Sequence, residues 1–375
     1  MNMKTLVEIY DKQQILNLIT GYMEKPEKII FLYEKDCENL INNPVIHQYL
    51  SAKIEYMLVS RKTIASVIET VRQEGIAFDI HGGNHFAIAA VSQAAEQSKA
   101  RLYYPDLRKN KMMILKDGKV ETEDLVLPKL SVKEIVALYG AKVRDLPEEM
   151  YDERGRRVVE ACMRAKRHNN KQWVNFCKTM GNLFKKYGTE DVIQAEGYLY
   201  RENRSIFEEL QEAFSVLEEG YKKFRFQLYD PAYAILLADS GVAFEYDTYY
   251  QLTDSGCFDD VDIRVNIDWN GSDFKPSDPN SELDVMASLN SRLISISCKS
   301  GKYDQQAVYE VKANAEKFGG DDAVPVLCTD LNENHPDLVR KAEELGVLVI
   351  EYQDMHERKA VAKILAWMQK GSMQE

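Results

Sequence analysis

The chain has no apolar run long enough to cross a bilayer as a helix. Its longest, AYAILLA at 232–238, falls far short of the ~20 residues a span needs. The opening MNMKTLVEIYDKQQ lacks the basic-then-apolar pattern of a secretory leader, so a cytoplasmic protein with no membrane partner is expected. Six cysteines, at 37, 162, 177, 257, 298 and 328, never stand as C-x-x-C. That excludes a cysteine zinc cluster and suggests no disulfide framework. Neither a G-x-G-x-x-G nor a Walker A pattern occurs, and no repeat or low-complexity stretch is visible. Of the six histidines, His47, His168, His335 and His356 are isolated. His81 and His85 sit too close across a strand-to-helix turn to read as a metal pair. An excess of positive charge is also missing: the net charge of −12 argues against bulk electrostatic attraction to nucleic acid.

What is present points to several cores. With 375 residues, 45% of them apolar, two or three domains are expected. Up to ARLYYPDL, short apolar runs (TLVEIY, KIIFLYE, KIEYMLVS, IAFDIHGG) alternate with amphipathic ones (QQILNLITGYM, TIASVIETVRQ, FAIAAVSQAAEQ). Strands separated by helices imply crossover connections and a mostly parallel, Rossmann-like sheet over about 1–130. KMMILKDG and KVETEDLVL predict a hairpin turned at Asp117-Gly118.

Residues 131–230 read as a helical middle domain, including ENRSIFEELQEAFSVLEEGYKKF as one helix. Within it, Asp152 to Gly188 holds ten basic residues against three acids. Such a run is either a solvated helix face or a phosphate-facing surface. From Pro231 to residue 375 the predicted order is helix, strand (VDIRVNIDW), strand (282–288), strand (292–299), helix (304–318), strand, helix, strand, helix.

Side chains two apart on a strand share a face, so Glu282 and Asp284 are expected on one side, Leu283 and Val285 on the other. In the next strand Ile294, Ile296 and Cys298 make the apolar face; Ser295, Ser297 and Lys299 make the polar one. If the polar faces converge, carboxylates beside a lysine can hold Mg²⁺ or Mn²⁺, activate water and offset charge on a phosphate. A buried salt bridge within a sheet is the other reading of the same spacing.

This order of elements resembles the PD-(D/E)xK restriction-endonuclease-like fold, with Asp284 matching the motif acid and Lys299 the motif lysine. The acid expected two residues before the lysine is Ser297 here. Some enzymes of that fold take the missing carboxylate from the following helix, which implies Glu310 as a catalytic and metal-binding acid. Glu282 and, as an accessory, Glu245 are further candidates. Gln305 and Tyr309 on the same helix resemble the Q-x-x-x-Y element of some of these nucleases.

In the N-terminal part, FDIHGGNHFAIAA sets a strand, two glycines and a helix start in succession. Helix-terminal amides bind anions, and glycines permit close approach. The same pattern also serves as plain strand-to-helix punctuation. Taken with the C-terminal part, the chain resembles the CRISPR-associated Rossmann-fold (CARF) nucleases of the Card and Can type, whose N-E-L-D-V and E-C-K patterns SELDV and SCKS echo. The resemblance implies a cyclic-oligoadenylate site at Asp79, His81, Gly82, Gly83, Asn84 and His85, with a second contact from Asp11, Gln14 or Asn17. It further implies a homodimer activated by cyclic tetra-adenylate in type III CRISPR defence, which cuts DNA or RNA with Mn²⁺ or Mg²⁺. Two competing expectations are a ligand-regulated nucleic-acid binder with an inactive nuclease fold, and a constitutive Mrr-like nuclease.

Overall fold

A computed structural model describes residues 3–59, 75–144, 152–269, 280–330 and 336–370. The helix predicted from TIASVIETVRQ falls outside them.

The first sheet is built from β1 (Thr5–Ile9), β2 (Lys28–Tyr33), β3 (Lys53–Leu58), β4 (Ile76–Asp79), β5 (Arg101–Asp106), β6 (Lys111–Lys116) and β7 (Lys119–Asp124). Their order is β3-β2-β1-β4-β5-β6-β7, and the first five run parallel. β1 and β2 are apolar at nearly every position because both faces are covered. Leu6 and Phe31 pack in the core shared with helix Leu16–Glu24, while Val7, Ile9 and Phe78 pack against helix His85–Ser98. Strand order reverses at β1, which leaves a crevice beyond the ends of β1 and β4. The hairpin forms as expected: Asp117 and Gly118 both take positive φ, and Lys116 pairs with Lys119.

The middle region departs from its predicted helical character. After helices Glu153–His168 and Asn170–Tyr187 comes a three-stranded antiparallel sheet. It comprises β9 (Ile193–Glu196), β10 (Phe214–Glu219) and β11 (Lys223–Leu228), with β8 (Lys142–Val143) standing apart. The one long helix expected over 202–224 is instead a short helix, Arg204–Glu209, followed by a hairpin. The period-2 spacing of Phe224, Phe226 and Leu228 buries one face of β11. Phe207, Phe214, Phe224 and Phe226 then stack into one aromatic cluster. That burial outweighs the helix propensity of the Glu- and Lys-rich stretch.

The third sheet has order β16-β15-β14-β13-β12-β8. It joins β12 (Asp260–Asp268), β13 (Asn280–Leu289), β14 (Arg292–Lys299), β15 (Val324–Thr329) and β16 (Leu348–Ile350). β12, β13 and β14 are antiparallel neighbours; β14, β15 and β16 are parallel. Asn290 and Ser291, both at positive φ, close the β13–β14 turn. Helix Gln305–Gly319 crosses one face and helix Val242–Ser255 the other. Among the described residues, no helix is long and apolar enough to cross a membrane.

Candidate functional site

Asp284 lies on β13 and reaches across to β14. Its Oδ2 accepts the Cys298 backbone N–H at 2.6 Å and the Ser297 hydroxyl at 3.2 Å. The motif serine therefore anchors the motif acid. Burial raises the Asp284 pKa, opposed by the Cys298 amide and the Lys299 charge.

Glu282 and Asp284 both act on Glu245, but the expectation that Leu283 and Val285 share the opposite face is corrected. Leu283 packs with Val265, Ile267 and Met286, whereas Val285 packs with Ile263 and Ala287 on the other side of the sheet. Both strands turn over between the register pairs 263–285 and 265–283. Arg264 stands at that point with φ +52, a conformation uncommon for a side-chain-bearing residue. Along β12 likewise, Ile263 packs on one side of the sheet and Val265 and Ile267 on the other.

Arg264 is the residue sequence reasoning missed. Its guanidinium donates to Glu245 at 3.2 Å and pairs with Glu282 at 2.6 Å. The signal available was a single basic residue in a strand whose other polar positions are Asp and Asn. Glu245 comes from helix Val242–Ser255, and its pKa is pushed up to about 7, first by burial and then by the charge of Asp284. Cys298 donates to Thr248 of the same helix at 3.5 Å, fixing helix to strand.

Glu310 does not join this group. It lies on the exposed side of helix Gln305–Gly319, where its Oε1 accepts the Gln306 amide at 2.7 Å. Gln305 and Tyr309 do meet: the amide donates to the phenol oxygen at 2.9 Å. Among the described residues, no three His, Cys, Asp or Glu side chains gather as a metal cage. Carboxylate oxygens are nonetheless the donors that Mg²⁺ and Mn²⁺ take. Asp284 and Glu245 are close enough for the charge of one to act on the other, and Arg264 offsets part of that negative charge.

The basic run at 152–188 is partly spent inside the protein. Arg156 pairs with Asp254, Arg157 with Glu212, Arg154 lies over Tyr229, and Lys166 is buried against Asp330. Arg164, Arg167, Lys171, Lys178, Lys185 and Lys186 are exposed.

The second site lies beyond the ends of β1 and β4. Gly82 packs so tightly that an added Cβ would sit 2.8 Å from the Ile9 carbonyl oxygen; at Gly83, with φ +80, it would sit 2.3 Å from Ile9 Cγ2. Both glycines are thus required by the turn itself. Asn84 caps helix His85–Ser98 by accepting from the Ala87 amide at 2.9 Å. Gly83, Asn84 and His85 are exposed.

Four expected ligand contacts face inward instead. Gln14 and Asn17 are fully buried and hold the loop by donating to the Asp11 carbonyl, both at 2.9 Å. Asp79 is fully buried, accepting from Thr20, from the His81 backbone N–H at 2.9 Å and from its ring Nδ1 at 2.5 Å. The His81 ring is 1% exposed, with Glu8 behind it at 3.9 Å. A loop that must hold one shape is served by amide side chains tied to its backbone, so these residues position Asp11, Gly82 and Gly83.

Side-chain contacts run from the Asp11 loop to the third sheet. Gln13, in the Asp11 loop, donates to Asp322 at 2.5 Å, and Arg108 pairs with the same carboxylate at 2.9 Å. Asp322 lies between helix Gln305–Gly319 and β15, the strand beside Lys299.

The chain shares the fold of Can2 along its whole length. The structure of Can2 from Sulfobacillus thermosulfidooxidans in complex with cyclic tetra-adenylate superposes with a TM-score of 0.70, at 15% identity and 98% coverage of both chains. Protein VC1899 from Vibrio cholerae matches at 0.74, 15% identity and 99% of both chains. A type III CRISPR defence DNA nuclease activated by cyclic oligoadenylate matches at 0.50 and 12% identity, over 96% of this chain and 52% of that one. No protein-family model and no curated protein sequence matches. At these identities the likeness is one of fold. The Gly82-Gly83 turn lies on the first sheet and the Asp284–Lys299 strand pair on the third, and one apolar core runs between those sheets.

Proposed function

We propose that this protein is a divalent-metal-dependent nuclease held in check until a cyclic oligoadenylate, cyclic tetra-adenylate in the first instance, binds its N-terminal domain. The reading divides the chain into a sensing domain (1–130), a middle domain (131–230) and a PD-(D/E)xK nuclease domain (231–375). It acts as a cytoplasmic homodimer in type III CRISPR defence, on DNA, single-stranded RNA or both. One observation carries it most: Asp284, seated on the Ser297 and Cys298 groups, lies on the strand paired with the one ending in Lys299, in a fold shared end to end with a cyclic-tetra-adenylate complex.

In this reading Asp284 and Glu245 hold the metal, with Glu282 drawn in if Arg264 lets go. A bound Mn²⁺ or Mg²⁺ would supply an activated water and offset charge on the phosphate. Lys299 stabilises charge building up on the phosphoryl oxygens. Asp11, the Gly82-Gly83 turn, Asn84 and His85 receive the ligand. Because a ligand shifts an equilibrium only by its differential affinity, the Gln13–Asp322 link must differ in strength between the off and on states.

Incubation of the purified protein with plasmid or single-stranded RNA, Mn²⁺ and cyclic tetra-adenylate tests this. Cleavage only when both are present is expected. Full cleavage without the nucleotide would favour a constitutive nuclease. A second reading, a regulated nucleic-acid binder without activity, draws support from Arg264 lying among the acids. It predicts equal strand binding by wild type and Asp284→Ala, and cutting by neither.

A further inference from the structure

A cavity of about 370 Å³ lies where helices Glu153–His168, Val242–Ser255 and Tyr352–His356 meet the end of β15, within the usual size of small-ligand sites. Lys166 and Asp330 are joined there at 2.5 Å with 5% and 6% of their side chains exposed. The lysine holds Asp330 Oδ2. Asp330 Oδ1 is wholly buried and has no hydrogen-bond partner among the described residues. A buried carboxylate oxygen left without a donor is costly, and Asp330 is one of the residues that line the cavity.

The partly exposed Tyr352 lines the cavity, Phe244 is buried beneath it, and the exposed Arg167 and Asn170 line it as well. Asp330 donates its backbone N–H to the Lys299 carbonyl at 3.3 Å. The cavity is therefore one strand away from the proposed catalytic lysine.

We propose that this cavity is a base pocket, which takes from the strand being cut a nucleobase carrying an exocyclic amine. The amine donates to Asp330 Oδ1, the ring stacks on Tyr352, and Arg167 takes the neighbouring phosphate. The order of charges favours this occupant. The cavity is lined by two acids, Asp330 and Asp247, and by the exposed Arg167, so a nucleotide can bring a neutral amine to the acids and set its phosphate beside the arginine. The inference rests on the nuclease reading for its source of bases. It implies that cutting is biased toward positions next to A, C or G rather than T or U.

Cytidine and uridine 5′-monophosphate differ at the position that would face Asp330, so they are the probes of choice. With the N-terminal site saturated by cyclic tetra-adenylate, calorimetry on the full chain is expected to show cytidine monophosphate binding about tenfold tighter than the uridine form. Tyr352→Ala is expected to weaken it by about tenfold without altering the circular dichroism, and Asn170→Ala by less. Cut sites on a randomised single strand should be enriched for amine-bearing bases at one position, and Tyr352→Ala should erase that enrichment. Equal affinity for the two monophosphates, cytidine binding untouched by both variants, or cutting without positional enrichment each overturns the proposal. A protein that never cuts, yet separates the two monophosphates through Tyr352, would sink the nuclease reading and leave the pocket standing.

Discussion

The protonation of Glu245 ties the chemistry of the proposed nuclease centre to a measurable stability. Its carboxyl rises from an ordinary value of 4.5 to about 7 because burial and Asp284 outweigh the pull of Arg264. Its side chain is 15% exposed, so solvent screens it little, and the rise corresponds to about 3 kcal/mol. The native chain keeps a proton that the unfolded chain has released, so stability falls as pH rises from 4.5 through 7 and levels off above. Integrated from pH 5 to pH 8 the loss is about 2.5 kcal/mol, or about 5–10 °C in melting temperature for a unit of this size. Glu245→Gln mimics the protonated acid and has no such loss. Melting curves of wild type and variant, without metal, are therefore expected to coincide near pH 5 and to separate by that amount at pH 8, the variant melting higher. Parallel profiles would refute the argument: Glu245 would then be an ordinary solvated acid, with no part in a shared buried cation site.

Other substitutions separate the candidate acids and the two sites. Asp284→Ala and Lys299→Ala are expected to lower ligand-stimulated cleavage by about 100-fold or more, while Glu310→Ala, whose exposed carboxylate accepts from Gln306, should stay within about threefold of wild type; a loss as large as that of Asp284→Ala would restore Glu310 to the site. Gly83→Ala forces a Cβ to 2.3 Å from Ile9 at φ +80 and should cost about 1–3 kcal/mol and most cyclic-tetra-adenylate binding, whereas Gly118→Ala, at φ +72 with open space around it, should bind normally by calorimetry. Asp322→Ala removes the acceptor of Gln13 and Arg108; retained nucleotide binding with several-fold weaker stimulation of cleavage is expected, and unchanged stimulation would rule out this link as the coupling route. Chelation by EDTA should abolish cleavage, and Mn²⁺ should restore it.

Local pattern alone determined much of this protein. Alternating strands and helices specified the parallel sheet, Asp117-Gly118 its hairpin, and the spacing of Asp284, Ser297 and Lys299 the two strands that bring them together. These features depend on neighbours a few residues apart, which a linear chain displays. Tertiary structure decided what distant segments do to one another. Nothing in FRFQL reveals that Phe207 and Phe214 will pack on it and turn an expected helix into a hairpin. Gln14, Asn17 and Asp79 read as polar ligand contacts, yet their partners lie within the loop and the helix beneath it. The choice among Glu245, Glu282 and Glu310 was open in the sequence because each is simply an acid. Arg264 settles where two of them sit, since a strand that turns over at one residue carries its side chain to acids on two other elements. Burial and charge pairing are properties of the assembled chain, and they separate an acid at a buried centre from one on an exposed helix.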